Sequence, residues 1–430
     1  MKSLLGRRHS PLLSSLAVIA WSAISYAQEG QGAGPDESPA PPAPAGTSAV
    51  LAAPGARKWY DAVKVEGFVD AYASVNANSP KPQSGQNLGR AFDVTNGFAV
   101  HWAGVNVSYA PEPVGATVGL RFGQGAAMYN AGPDAGAGAG LIFVKQAFAS
   151  YRPVAGVPLQ LDFGKFDTWI GAEVADTQYN MTYTRAAIFT TQPYFHTGLR
   201  VDIAVSEQFD LKLYAVNGYN NSIDNNAMKT FGASVGITPV KEIAVYLNYI
   251  GGPEQNDYVP ATGMAGPMVV PGANQRWRHL GDVVADFKFG RGHVLVNGDY
   301  GTEKLAAGTL AMGDPEKSVS WFGGNLTVGY AVTDLFAFAL RGGYLADPDG
   351  YVAPLWGAPA GEAASVVDGT VTLAVTPTPN LIIKLEPRVD AVASDASGFE
   401  GNFPKAPDAA PPGVSKVLFT TTLGVVATTN

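Results

Sequence analysis

The chain has 430 residues, 46% hydrophobic and only 15% charged, with no cysteine and with 28 Lys+Arg against 36 Asp+Glu. Soluble domains carry about 25% charged residues, so this surface is short of charge. The acidic balance argues against a nucleic-acid partner, and the lack of cysteine excludes a disulfide scaffold and thiolate metal sites.

Met1 to Ala27 reads as a secretory signal peptide. Lys2, Arg7 and Arg8 form its basic start, Leu12 to Ile24 its apolar core, and Ser25-Tyr26-Ala27 its small-residue cleavage site. Its removal takes three of the 28 basic residues and no acid, leaving 25 against 36 and a net charge of −11. Residues 28–57 are rich in Pro, Ala and Gly and lack the apolar density to build a core, so they read as a flexible periplasmic linker.

Residues 58–430 form the remaining unit. No apolar run there approaches the ~20 residues of a membrane helix. Instead, sixteen stretches alternate apolar and polar residues, expected near 64–76, 92–110, 114–124, 141–152, 157–169, 195–205, 209–218, 229–239, 242–251, 276–289, 292–302, 318–331, 334–346, 364–377, 380–393 and 415–427. In 195–205, Leu199, Val201 and Ile203 share one face while Arg200 and Asp202 share the other. In 380–393, Leu381, Ile383, Leu385 and Val389 oppose Lys384, Glu386, Arg388 and Asp390. Period two is the strand signature. Pro387 inside the fifteenth stretch lacks a ladder donor and predicts a bulge.

The connections are alternately short and long. Short ones such as Pro111-Glu112-Pro113, Val240-Lys241 and Gly290-Arg291 suit tight turns. Long ones fall at 77–91, 125–140, 170–194, 219–228, 252–275, 303–317, 347–363 and 394–414. Strands with one apolar face can sit in lipid only when every backbone group is paired, which requires closure. An even-stranded transmembrane antiparallel up-and-down β-barrel, all-β and of about 16 strands, satisfies the pattern; a secreted β-sandwich is the competing reading. Tyr109, Tyr151, Tyr249, Tyr300, Tyr330 and Tyr344 gather near strand ends, as the water–lipid boundaries of a barrel require.

The polar faces then predict pore-lining residues Glu66, Asp70, Arg121, Asp162, Arg200, Asp202, Lys212, Asp282, Asp286, Lys288, Asp299, Arg341, Lys384, Glu386, Arg388 and Asp390. Charges on opposite walls would set a transverse field and an ion preference; wall-stiffening ion pairs are the plainer reading of each. A wide barrel needs a constriction to select by size. The 170–194 connection, with Glu173, Asp176, Asn180, Tyr183 and Arg185 beside apolar Ile188 and Phe189, is the candidate constriction loop; an ordinary external loop is the alternative. The five histidines have no ligand spacing, no G-x-S-x-G occurs, and the glycine run at 136–140 has no following helix. No enzyme, cofactor or metal is expected.

Several segments together resemble the OmpL-like β-barrel porin family of Gram-negative outer membranes. They are Val65-Glu66-Gly67-Phe68-Val69-Asp70-Ala71-Tyr72, Lys145-Gln146-Ala147-Phe148, Phe163-Gly164-Lys165-Phe166 with Gly171-Ala172-Glu173, Asn180-Met181-Thr182-Tyr183-Thr184-Arg185, Pro193-Tyr194-Phe195-His196-Thr197-Gly198-Leu199-Arg200 and Val216-Asn217-Gly218-Tyr219-Asn220. The resemblance covers about 65–230, with the C-terminal half similar mainly in pattern. It implies an outer-membrane channel without naming a solute. One departure is the ending Val426-Ala427-Thr428-Thr429-Asn430, where many such barrels end in an aromatic residue; Phe419 is the nearest substitute. The expectation is a passive, water-filled porin reached by signal-directed export. Its partners are membrane lipid and small hydrophilic solutes or ions, with a mild cation preference and a trimer by analogy. A non-conducting barrel used for adhesion or envelope structure is the alternative, and conductance separates the two.

Overall fold

The computed structural model describes residues 59–80, 87–130, 140–154, 156–259, 268–393, 399–400 and 414–429. The expected signal peptide and linker, and most of the 136–140 glycine run, lie outside the described residues. Sixteen strands form one closed antiparallel barrel in sequence order. They are β1 (Val63–Asn76), β2 (Gly97–Tyr109), β3 (Val114–Phe122), β4 (Val144–Tyr151), β5 (Leu159–Asp167), β6 (Phe195–Ala204), β7 (Phe209–Val216), β8 (Thr230–Val240), β9 (Ile243–Pro253), β10 (Trp277–Phe289), β11 (Gly292–Leu305), β12 (Lys317–Ala331), β13 (Phe336–Asp347), β14 (Ala364–Thr378), β15 (Leu381–Ala393) and β16 (Val417–Thr428). Closure comes from β1 pairing with β16, from Phe68 opposite Thr428 to Asn76 opposite Thr420. Thr429 extends it, its hydroxyl accepting from the Gly67 N–H at 2.8 Å. Among the described residues no helix is long and apolar enough to cross a membrane.

The alternation read from the sequence sorts the side chains as expected. Phe163, Leu340 and Val371 project outward, as do all six tyrosines expected at the strand ends. Asn248, Asp282, Glu386 and Arg388 point inward and are buried. Leu340 and Val371 are cross-strand partners on β13 and β14. If lipid covers them, Val371→Arg should destabilise the barrel by about 2–4 kcal/mol, read as a lower urea midpoint in refolding from detergent or vesicles.

Two sequence expectations need correction. No bulge occurs at Pro387: β15 keeps one register against β16 from Leu381 opposite Ala427 to Ala391 opposite Val417. Against β14 the pairing lapses where Pro387 would have stood, and the register shift lies instead between Val375 and Thr378. A missing donor therefore interrupts one ladder without inserting a residue. Secondly, β2 starts at Gly97 rather than 92; Ala91, Phe92 and Asp93 belong to the preceding connection and are buried.

Candidate functional site

The connection between β5 and β6, residues 168–194, folds into the barrel and crosses it. At its start the Trp169 ring stacks on Tyr214 of β7, with centroids 3.5 Å apart and planes 8° from parallel. Asp176 meets Arg121 of β3 at 3.0 Å and Lys145 of β4 at 3.1 Å. The Tyr183 hydroxyl donates to Asp70 of β1 at 2.8 Å. The remaining anchors lie on the far wall. Arg341 of β13 pairs with Glu173 at 2.7 Å. Lys384 of β15 donates to the carbonyls of Thr177, Asn180 and Thr182. Glu386 accepts the Tyr183 N–H at 2.6 Å and the Thr184 N–H at 3.0 Å. Arg388 donates to the Thr184 hydroxyl at 3.0 Å and to the Arg185 carbonyl. β13 and β15 stand eight and six places from β5 in a closed ring of sixteen, so these contacts span the lumen.

This segment has short 3-10 turns at Thr177–Tyr179 and Ala187–Thr191 but no longer helix, so many backbone groups lack partners of their own. A buried backbone group without a hydrogen bond costs about 1–3 kcal/mol, and the wall supplies the missing donors and acceptors. Arg185 works within the loop, donating to the carbonyls of Val174, Tyr183 and Ala175. Asn180 ties back to Val174. Ile188 and Phe189 are buried, as the inward fold requires. Burial pushes the Asp176 carboxyl up, but Arg121 and Lys145 outweigh it and hold the group below the usual carboxylate range.

The predicted wall charges fall into four groups. Arg341, Lys384, Glu386 and Arg388 lie beneath the loop, and Asp390 pairs with Arg388 beside them. Asp162 with Arg200, Asp202 with Lys212, and Asp286 with Lys288 form wall ion pairs at 2.6, 3.6 and 3.2 Å. Asp282 and Asp299 stand opposite each other on β10 and β11. Asp70 and Arg121 serve the loop from the near side, and Glu66 accepts from Asn106. Fourteen of these residues are buried; Glu66 and Lys288 are half-buried. The charges beneath the loop are therefore engaged with it.

Sequence reasoning missed a second inward segment. Arg90, in the β1–β2 connection, pairs with Asp390 at 2.6 Å, and Phe92 meets Phe189 edge-on at 5.9 Å. It also missed His101, whose Nδ1 lies 2.9 Å from Asp70, and two lysines, Lys145 and Lys165. Between the crossing loop and strands β1 to β6 a cavity of about 300 Å³ remains, lined among others by Glu66, Lys145, Phe148, Asp167 and Arg200. Among the described residues no three or more His, Cys, Asp or Glu side chains gather to hold a metal.

At the rim after β9, Glu254 accepts from the Tyr219 N–H and the Thr230 hydroxyl, both at 2.8 Å. Burial pushes its carboxyl up to about 7, against the pull of Arg278. A carboxyl with a folded pKa above its unfolded value keeps its proton in the folded state, so the stability of this connection is full below the ordinary 4.5 and falls as pH rises toward 7. Hydrogen exchange across 217–229, corrected for intrinsic rate, should show lower protection at about pH 8 than at about pH 5. Glu254→Gln should abolish the difference.

The comparisons with known proteins agree with this architecture. A family model described as "Putative beta-barrel porin-2, OmpL-like" matches residues 62–426. No curated protein matches the sequence. Among solved structures, the outer-membrane channel DcaP of Acinetobacter baumannii superposes with a TM-score of 0.53 at 11% identity, covering 85% of this chain and 96% of that one. The outer-membrane-expressed OmpT of Vibrio cholerae gives 0.51 at 12% identity, covering 85% and 97%. An anion-selective porin from Comamonas acidovorans gives 0.50 at 11% identity, covering 85% and 99%. At such identities the likeness concerns the fold.

Proposed function

The chain belongs to the OmpL-like β-barrel porin-2 family, and from that premise we propose that it is a passive outer-membrane diffusion channel for small hydrophilic solutes or ions, narrowed by its inward loop. The observation that carries this reading is residues 168–194 held across the lumen by Asp70, Arg341, Lys384, Glu386 and Arg388. A barrel of sixteen strands is wide enough for an aqueous channel, and a crossing loop reduces it to the space against β1 to β6. Water and solute pass between charged side chains there, so size and charge both act at the same depth. No step of this transport needs a catalytic group.

The preference is mildly for cations. Asp282 and Asp299 have no Lys, Arg or His within ion-pair distance among the described residues, whereas Arg121, Arg200, Arg341 and Arg388 each have a carboxylate. The preference follows from the acidic balance of the chain, 36 Asp+Glu against 28 Lys+Arg, which raises the local concentration of counter-cations. Export by the N-terminal signal delivers the chain to the outer membrane, and the outer wall serves as the surface for a trimer. Planar-bilayer recording tests the reading: stepwise conductance is expected, with a reversal potential on the cation side in a salt gradient. Silence at all voltages favours the non-conducting barrel, and strong anion selectivity overturns the preference.

A further inference from the structure

We propose, taking the barrel as a channel, that the cavity between the crossing loop and strands β1 to β6 is a binding subsite for a neutral sugar ring. Two rows of residues build its wall. Glu66, Asn106, Gly119 and Gln146 stand opposite one another in turn across β1 to β4. Ser108, Thr117 and Phe148 form the next row, across β2 to β4. All of these except Gly119 line the cavity, and Gly119 puts no side chain between the amides of Asn106 and Gln146. Tyr179 lines the same space from the loop. It is half-buried, and its ring stacks on no other ring or cation among the described residues.

The charges in this lining are committed to one another, and the groups left over are neutral. Lys145 pairs with Asp167 and Asp176, Arg200 with Asp162, and Glu173 with Arg341. Glu66 accepts from Asn106 at 3.3 Å. An ion held against the paired groups would have to break a buried pair, which costs more than a new hydrogen bond returns. The Ser108 and Thr117 hydroxyls and the Gln146 Nε2, by contrast, have no hydrogen-bond partner among the described residues. Hydroxyls donate and accept and an amide nitrogen donates, which matches the rim of hydroxyls on a sugar. The face of an aromatic ring is the negative end of its quadrupole and suits the C–H face of a pyranose. Arg200 already lies over the Phe148 ring at 5.4 Å, so Tyr179 is the ring left for stacking. A volume of about 300 Å³ stands at the lower end of ligand pockets, room for one sugar ring rather than a chain of them.

Block of the ion current across a planar bilayer by D-glucose, D-glucosamine and D-glucuronate tests this. Saturable block is expected, with glucose half-blocking at a concentration no higher than either charged sugar. Tyr179→Ala removes the stacking ring and should raise that concentration about two- to tenfold, read as a fraction of the variant's own current. Thr117→Val keeps the shape of the side chain, drops its hydroxyl, and should raise it by a similar factor. Conductance without saturable block, tighter block by a charged sugar, or block unchanged in either variant that folds overturns the subsite and leaves the channel standing. Silence at all voltages removes the channel instead. Saturation-transfer NMR of glucose on the barrel, in a detergent without a sugar headgroup, then decides the subsite, and the absence of saturable transfer overturns it.

Discussion

Replacing Glu386 with alanine should release the inward loop and raise single-channel conductance. The carboxylate accepts the backbone N–H groups of Tyr183 and Thr184, the Thr184 hydroxyl, and the Thr372 hydroxyl of β14 at 2.6 Å. Among the described residues no other acceptor serves the two loop N–H groups, and Glu386 is fully buried. Leaving two such donors unpaired costs roughly 2–6 kcal/mol, enough to shift a docked segment toward solvent. The loop would then leave the lumen and the section of the passage would grow. Glu386→Gln keeps one oxygen acceptor and should give a smaller change, so the pair separates lost hydrogen bonding from lost charge. Limited proteolysis supplies a second readout, because a released 168–194 becomes a substrate. Unchanged conductance and unchanged resistance to protease would mean that the remaining anchors hold the loop without Glu386.

Most of the barrel is legible in the sequence, and the exceptions within its strands share one cause. All sixteen strands and the inward set of charges follow from period-two alternation, which lipid on one side and water on the other impose. Lys145 and Lys165 escaped because they sit where the period breaks. Lys145 falls at the register shift that pairs Gly119 with Gln146 and Leu120 with Val144, so it is the extra residue of a bulge and turns inward out of phase. Lys165 follows Gly164, whose φ of +141° is open to glycine and rarely to other residues. A Cβ there would lie 2.2 Å from the Ala147 carbonyl oxygen. Strand count is a property of many residues, whereas these irregularities hang on single ones.

The loop was legible as a candidate but its fastenings were not. Its mixture of charged and apolar residues is what an inward segment needs. Its partners stand about 30 to 200 positions away, as Lys145 is from Asp176 and Glu386 is from Thr184. No local pattern encodes that pairing. The same holds for Arg90 and Phe92, which looked like the start of a strand. Their neighbours Asp390 and Phe189 explain why that stretch stays out of the sheet.

Asp176→Asn should turn the channel toward anions. Asp176 is the carboxylate that the loop presents to the β3–β4 wall, and it faces Arg121 and Lys145 together. Arg121 binds it through two nitrogens, Nε at 3.2 Å and Nη2 at 3.0 Å, and ring faces of Phe68 and Trp102 lie 4.6 and 5.4 Å from the guanidinium carbon. Those rings keep Arg121 in place when its partner is neutral. Lys145 retains Asp167, so the net gain at this depth is about one positive charge facing the cavity. One charge at 4 Å in water is worth about 1 kcal/mol, or about fivefold in a permeability ratio. The shift should shrink in high salt, because the Debye length falls to about 3 Å at 1 M. Breaking a buried pair also costs roughly 3–5 kcal/mol, so the reversal potential must be read from channels whose conductance matches the parent. A reversal potential unmoved in dilute salt would place the ion path away from the β3–β4 wall, and the narrow space against β1 to β6 would no longer serve as the passage.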